Sequence, residues 1–572
     1  MVQQEITIEP VSRIEGHLGI QASVDLDKKI YVDAHSFGTM FRGWEIILKN
    51  REPADAIWIT QRVCGVCSTP HGIAAAMAVD MAYQAPPPPM GIALRNLILG
   101  AEQLYDSPLG CFILEGPDYS QSIVEKSNHN WWEAAKAEKA PQADLHGYKT
   151  IADIMTGLNP ISGSLWLNSL KIEKIGRKMA ALLGAKHPHV NTLVPGGVAK
   201  TLTPTDLEQY AAMLSQHIAY TKEFIPLFDD LLDFILIMGY DECGARKANL
   251  VSYGGYEDPL AYNAKYHDMG EWALKRKVSP GVIIDGELVT QDLVEINVGV
   301  QEMVEHSYFD EWDGLKHKED PLGNALTKYH PWNKETKPSP GAYKDWEGKY
   351  SWGTSVRWLD WNSKVGGGLQ TVELGPIARM WATAVGRLVP ESMGSSVKFA
   401  LPRATVVGYR NADEMEFEWK VPEKVNTVER IRARAYYHAY SAYVVYSQVL
   451  QGLELVKAGN TKVWNKYKKA KNGIGVGMHE AMRGGVAHWV VMKNGLIENY
   501  QIMAPSTWNA GPKLGDSDYG PYEDAIIGTP LTEMGEITGL DVVRTVRSFD
   551  PCLACSVQIY RGGDKIVHIP EI

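Results

Sequence analysis

The chain has 572 residues, of which 45% are hydrophobic and 22% charged, and its formal charge is −11. That is the balance of a water-soluble globular protein, and an acidic chain without basic stripes excludes a nucleic-acid binder. The nearest approach to a membrane span, "LLDFILIMG" at 231–239, falls well short of the roughly 20 residues that a spanning helix needs.

Taken in chain order, the start "MVQQEITIEP" lacks the basic and then apolar stretches of an export signal. The expected location is therefore cytoplasmic, or membrane-associated or exported through a partner. Residues 18–36 alternate apolar and polar side chains around "DLDKK", which predicts a β-hairpin. After Cys67 the composition turns helical, with Thr69 as the expected N-cap and Pro70 as the first helical residue. Long helices are predicted over 203–238 and 428–459, separated by a tryptophan- and glycine-rich region at about 240–380 of irregular structure and short strands. A second hairpin is predicted within "HWVVMKNGLIENYQIM", turning at Asn494–Gly495. The expected fold class is mainly α with additional β (α+β). No repeat or low-complexity linker divides the chain, so 1–572 reads as one unit, with 559–572 as a C-terminal extension that is either cleaved or retained.

The cysteines are six: Cys64, Cys67, Cys111, Cys243, Cys552 and Cys555. So few exclude a disulfide scaffold. Four of them form two CxxC pairs at opposite ends of the chain. Cys64 and Cys67 precede a predicted helix N-terminus, where free N–H groups favour thiolate, and Arg62 adds positive charge. Spacing alone leaves three readings open: a tetrahedral zinc site, a redox dithiol, or a nickel or iron site. Zinc clips usually close compact modules, whereas these ligands would tie together nearly the whole chain.

"RVCGVCSTPH" and "DPCLAC" resemble the two signature motifs of the large, catalytic subunit of nickel–iron hydrogenases. "EPVSRIEGHLGI", "FRGWEIILKNREPADAIWITQRVCGVC", "GAKHPHVNTLVPGGV" and "APSTWNAGP" are similar to further blocks of that family, in the same order, from residue 9 to residue 555. The resemblance implies an enzyme of the uptake type that splits H2 reversibly into protons and electrons. It implies that Cys64, Cys67, Cys552 and Cys555 bind nickel, and that Cys67 and Cys555 bridge to an iron carrying carbon monoxide and cyanide. Soft thiolates suit a late transition metal.

By the same resemblance, Arg483 in "EAMRGG" stands over the open metal position, with Asp118 and Asp550 flanking it and Pro505 and Ser506 beside the cyanide ligands. Folding at Asn494–Gly495 puts Arg483 and Ser506 at the same open end. The family usually has proline before this arginine, where the chain has Met482. Glu15 matches the residue that takes protons from a terminal nickel thiolate, and His71 one that hydrogen-bonds near a bridging cysteine. Glu45 and the Ile502 carbonyl match ligands of Mg2+ or a similar hard cation. Gln558 stands where the family has a histidine ligand to that cation, after which a maturation endopeptidase cuts. Taken without the resemblance, Arg483 and Glu15 would be ordinary surface charges, and Asp118 and Asp550 members of structural ion pairs.

Cys111 and Cys243, isolated from each other, cannot hold a four-cysteine iron–sulfur cluster. Electrons must leave through a partner, which agrees with the family's iron–sulfur small subunit. The resemblance also leaves room for a higher oligomer of such heterodimers. The competing expectations are a metal-free or zinc-stapled scaffold subunit of a respiratory-type complex, and a dithiol oxidoreductase.

Overall fold

The computed structural model of the chain describes residues 3–339 and 348–553. The chain opens with an antiparallel sheet of β1 (Gln3–Ile8), β2 (Leu18–Asp25) and β3 (Ile30–Gly38). The predicted hairpin is β2–β3, and β1 adds an outer strand that pairs Glu5 with Ser23. The inner face of this sheet, including Leu18, Ile20, Val24 and Tyr31, shares one apolar core with Val542, Val546, Phe549 and Leu553 from the far end of the chain. Hydrophobic burial therefore brings the two ends of the described residues together before any metal is considered.

Helix α1 (Ser68–Tyr83) follows the first cysteine pair and is buried along its whole length. It begins at Ser68, earlier than expected, because Thr69 does not cap it. The Thr69 hydroxyl and amide are instead spent on the carboxylate of Glu102, in α2 (Pro89–Pro108). Helix α3 (Ser164–Gly184) lies beside α2. The predicted long helices are α4 (Pro204–Ile237) and α5 (Thr427–Lys457). Thr203 and Asp206 form a reciprocal capping box at the start of α4, and Asn426 accepts the Glu429 N–H at the start of α5. Between them, β4 (Leu250–Gly255), β5 (Val278–Ile284) and β6 (Glu287–Thr290) make a small sheet, and a regular helix at Pro376–Gly386 packs against it. The expected class of helices with small added sheets is thus the observed one. No helix among the described residues is long and apolar enough to cross a membrane.

The last sheet is antiparallel β7 (Gly473–Ala481), β8 (Gly484–Lys493) and β9 (Leu496–Met503). β8 and β9 turn at Asn494–Gly495 as predicted, with φ of 55° and 84°. β7 lies directly on the backbone of α1. A Cβ at Gly475 would sit 2.0 Å from the Ala78 carbonyl oxygen, one at Gly477 2.0 Å from that of Ala74, and one at Gly473 2.7 Å from that of Ala82. Glycine at every second strand position meets alanine at every fourth helix position, matching the two periods. The fit fixes how far the cysteine-bearing end of α1 stands from the β7–β8 turn. Short chain α6 (Leu540–Ser548) precedes the second cysteine motif.

Gly477→Ala is expected to destabilise the protein by about 1–3 kcal/mol or more, since strand and helix backbones must separate. Gly452→Ala, inside α5 with Leu207 Cδ2 at 3.8 Å as the nearest atom, is expected to be neutral or stabilising by up to about 1 kcal/mol. Thermal unfolding of the two variants against the parent checks the pair.

Candidate metal centre

Three cysteine sulfurs converge in the interior. Cys64 Sγ lies 3.3 Å from Cys552 Sγ, and Cys67 Sγ lies 3.8 Å from it. All three sulfurs fall within 4.8 Å of one another, and the residues are 1%, 4% and 1% exposed. These separations are too long for a disulfide at about 2.05 Å. They match thiolates that share one metal at about 2.3 Å, whose tetrahedral edges are about 3.8 Å. Soft sulfur donors in a buried cluster fit nickel. Cys555, expected as the fourth ligand, lies outside the described residues, as does Gln558.

Local backbone explains how the sulfurs are held. The N–H groups of Val66 and Cys67 both point at Cys64 Sγ, at 3.3 Å, and Cys67 stands at the N-terminal end of α1. Both features supply partial positive charge to a thiolate. Cys552 is held from two sides. Its N–H donates to Ser506 Oγ at 2.8 Å. Its neighbours form a parallel bridge with Glu15, in which Glu15 N–H donates to Pro551 O at 3.1 Å and Leu553 N–H to Glu15 O at 2.7 Å. That bridge sets Glu15 Oε2 3.1 Å from Cys552 Sγ.

Arg483 occupies the two-residue turn between β7 and β8, where Ala481 pairs with Gly484. Gly484 has φ +133°, and a Cβ there would sit 2.9 Å from Gly375 N and 3.0 Å from Pro505 Cβ, so only glycine lets the turn close beside the arginine. Pro505, Ser506 and Arg483 are thus brought together as the hairpin predicts. Arg483 Nη1 lies 3.1 Å from Asp106 Oδ1 and Nε 3.0 Å from Asp550 Oδ1. Burial works against its charge, but Asp106, Asp550, and then the Cys552 and Cys67 sulfurs outweigh it and keep the guanidinium protonated.

Asp550 therefore flanks Arg483 as expected, and Asp118 does not. Asp118 sits on the turn Gly116–Tyr119, which faces α6 instead of the β7–β8 turn. Arg547 Nη1 contacts its two oxygens at 2.7 and 2.9 Å, and Arg13 binds it too. Burial pushes the Asp118 carboxyl up, but Arg547, Arg13 and Arg544 together hold it below its usual value. The second flanking acid is Asp106, in the last turn of α2, which the sequence reading missed. The sequence carries only half a signal: Arg95, Asn96, Glu102, Gln103 and Asp106 put polar residues on several sides of α2, and the structure shows that all are buried.

His71, one turn into α1, turns Nδ1 to His488 Nε2 at 2.9 Å, and His488 Nδ1 meets Tyr500 Oη at 2.8 Å. Burial lowers the His71 pKa to about 4, so the ring is neutral.

Glu45 and Ile502 also meet: the Ile502 N–H donates to Glu45 Oε1 at 3.0 Å. In an antiparallel pair, N–H and C=O of one residue leave the strand on the same side, so the carbonyl shares that edge. Thr336 donates to Glu45 Oε2, and Lys334 Nζ stands 3.8 Å from it and 2.6 Å from Glu302. Burial opposes charge on Lys334, but Glu302 and Glu45 keep it protonated. Glu302 Oε2 is buried without a hydrogen-bond partner among the described residues. Two carboxylates, a hydroxyl and a carbonyl edge are an oxygen donor set that fits a hard cation.

The family described as nickel-dependent hydrogenase matches residues 42–154 and 145–558, and a HoxL-like family matches residues 5–35. The solved actinobacterial-type NiFe-hydrogenase from Ralstonia eutropha H16 is similar, with a TM-score of 0.93 and 39% identity, covering 97% of this chain and 100% of that one. The periplasmic NiFeSe hydrogenase large subunit of Desulfomicrobium baculatum is 30% identical, covering 99% of this chain and 97% of the relative. The uptake hydrogenase large subunit of Rhizobium leguminosarum bv. viciae is 28% identical, covering 97% of this chain and 95% of the relative.

Asp118→Asn is expected to cost about 3–5 kcal/mol, because it leaves buried Arg547 without its counter-charge. The folded pKa of Asp118 is depressed, so its stabilisation is present above the unfolded value of about 3.9 and is lost as pH falls through the lower folded value. Urea midpoints measured from pH 7 downward should show parent and variant converging below about pH 4.

Proposed function

The chain belongs to the nickel-dependent hydrogenase family as the large subunit of a nickel–iron hydrogenase, and we propose that its buried sulfur cluster is where H2 is split into protons and electrons. The observation that carries this reading is a three-sulfur group able to hold a metal, with a carboxylate 3.1 Å from one sulfur. Splitting H2 heterolytically needs an acceptor for the electron pair and a base for the proton in one place. When bound, the nickel–iron centre with its carbon monoxide and cyanide ligands supplies the acceptor. Cys64, Cys67, Cys552 and Cys555 would hold the nickel, with Cys67 and Cys555 shared with the iron.

The chain's own residues supply the proton path. A proton on Cys552 Sγ passes to Glu15 Oε2, and the backbone bridge to Pro551 and Leu553 keeps that distance short. Arg483 holds positive charge beside the sulfurs and lessens their mutual repulsion. Ser506 accepts the Cys552 N–H and still has its own hydroxyl hydrogen to donate toward a cyanide, with Pro505 giving apolar contact. Glu45, the Ile502 carbonyl and Gln558 would serve a hard cation such as Mg2+, with Glu302 as a further oxygen donor. Cys111 and Cys243 are buried and outside the sulfur cluster, so electrons leave through the iron–sulfur small subunit. The relative named as an uptake enzyme supports the direction of H2 oxidation.

The decisive measurement is nickel and iron content together with the infrared spectrum of the chain purified with its small subunit. Bound nickel with carbon monoxide and cyanide bands is expected, whereas zinc or no metal, and no such bands in a matured preparation, would leave a scaffold subunit. Glu15→Gln should keep nickel and bands while H2 oxidation falls by about 10²–10⁴-fold, the usual contribution of a proton-transfer group. Unchanged turnover in that variant removes Glu15 from the path.

A further inference from the structure

The charge pattern around Arg483 continues beyond its two acids. Arg434, in the second turn of α5, is buried, and its Nε lies 3.9 Å from Asp550 Oδ2. Its Nη1 pairs with the buried Glu115, and its Nη2 donates to Ser548 O at 3.3 Å. Asp106, Arg483, Asp550, Arg434 and Glu115 therefore alternate in sign along one buried line. Gly110 keeps the line open: a Cβ there would stand 3.1 Å from Arg434 Cδ and 3.5 Å from Asp550 Oδ2.

Asp550 is the centre of this line. One carboxylate oxygen faces Arg483 Nε at 3.0 Å, and the other faces Arg434. Its backbone is in the left-handed region at φ 54°, tied by its N–H to Arg547 O at 2.7 Å. With Oδ1 and Oδ2 drawn to opposite guanidiniums, the carboxylate has one favoured orientation. Removing Arg434 frees Oδ2 and lets the group rotate, and Arg483 follows it.

We propose that Arg434 is a positioning residue for the metal centre: it holds Asp550 from the side opposite Arg483 and so sets where the Arg483 guanidinium stands relative to the Cys552 and Cys67 sulfurs. Glu115 holds Arg434 in turn. The inference rests on the reading of the sulfur cluster as a nickel–iron site.

The test compares Arg434→Met, Arg434→Lys and Glu115→Gln with the parent, each purified with the small subunit. The readouts are nickel content, the infrared frequencies of the iron-bound cyanides, and kcat and KM for H2. Nickel should be retained in all three. In Arg434→Met the cyanide bands should shift or broaden, and kcat should fall by about 10-fold to 100-fold with KM little changed, as for a misplaced group near the chemistry. Arg434→Lys should recover part of this loss, and Glu115→Gln should show a smaller displacement of the same bands. Parent-like bands and kcat in a nickel-loaded Arg434→Met overturn the proposal. Should that variant fail to load, parent-like bands in both Arg434→Lys and Glu115→Gln overturn it equally. Cyanide bands missing from the parent itself would instead overturn the nickel–iron reading.

Discussion

Thiolates buried within 4.8 Å of one another repel strongly where water cannot screen them, and the surroundings of this cluster are arranged against that repulsion. Amide hydrogens of Val66 and Cys67 point at Cys64 Sγ, the N-terminal end of α1 stands behind Cys67, and the Arg483 guanidinium is near enough to Cys552 and Cys67 to feel their charge. Glu15 works the other way, its carboxyl oxygen lying against Cys552 Sγ. A carboxylate and a thiolate cannot both be bare at that distance. They share a proton, or a metal withdraws charge from the sulfur. The contact that raises the electrostatic cost is thus also the one that can pass a proton on.

Such a cluster needs supports that do not yield, and the chain provides two kinds. One is steric: the glycines of β7 rest on the carbonyls of α1 with no side chain between, so the strand leading to Arg483 and the helix starting at the cysteines move as one body. The other is electrostatic. Asp118 joins Arg13 near the start of the chain to Arg547 near its end. Asp106, Asp550 and Glu115 interleave with Arg483 and Arg434, which come from a hairpin turn and a long helix. Each charge in these two groups has an opposite neighbour, the condition under which such groups can be kept in an interior.

Much of this was legible in the residues because it is local. The β2–β3 and β8–β9 hairpins followed from alternation and from Asn494–Gly495, and α4 and α5 from long stretches of helical composition. Cys64, Cys67 and Cys552 could be named because the CxxC spacing is itself the signal. What stayed hidden depends on partners far away in sequence. Thr69 looked like a cap because nothing nearby announces Glu102. Asp118 looked like a neighbour of Arg483 because both sit in distinctive motifs, whereas its true partners, Arg13 and Arg547, are ordinary arginines until the termini meet. The glycines of β7 have an obvious period of two, but its meaning requires the alanine carbonyls of α1, some 400 residues away.

Cys64 and Cys552 are 488 residues apart in sequence, which places the centre on a clock. At a synthesis rate of about 5–20 residues per second, roughly half a minute to a minute and a half separates the emergence of the first cysteine pair from that of the last motif. During that interval Cys64 and Cys67 have no Cys552 sulfur beside them, and the Glu15 carboxyl, already made, has no Cys552 to meet. The third sulfur comes from the last-made end of the described residues. The three-sulfur group is therefore complete only once residue 552 has been made and has settled against Ser506 and Glu15.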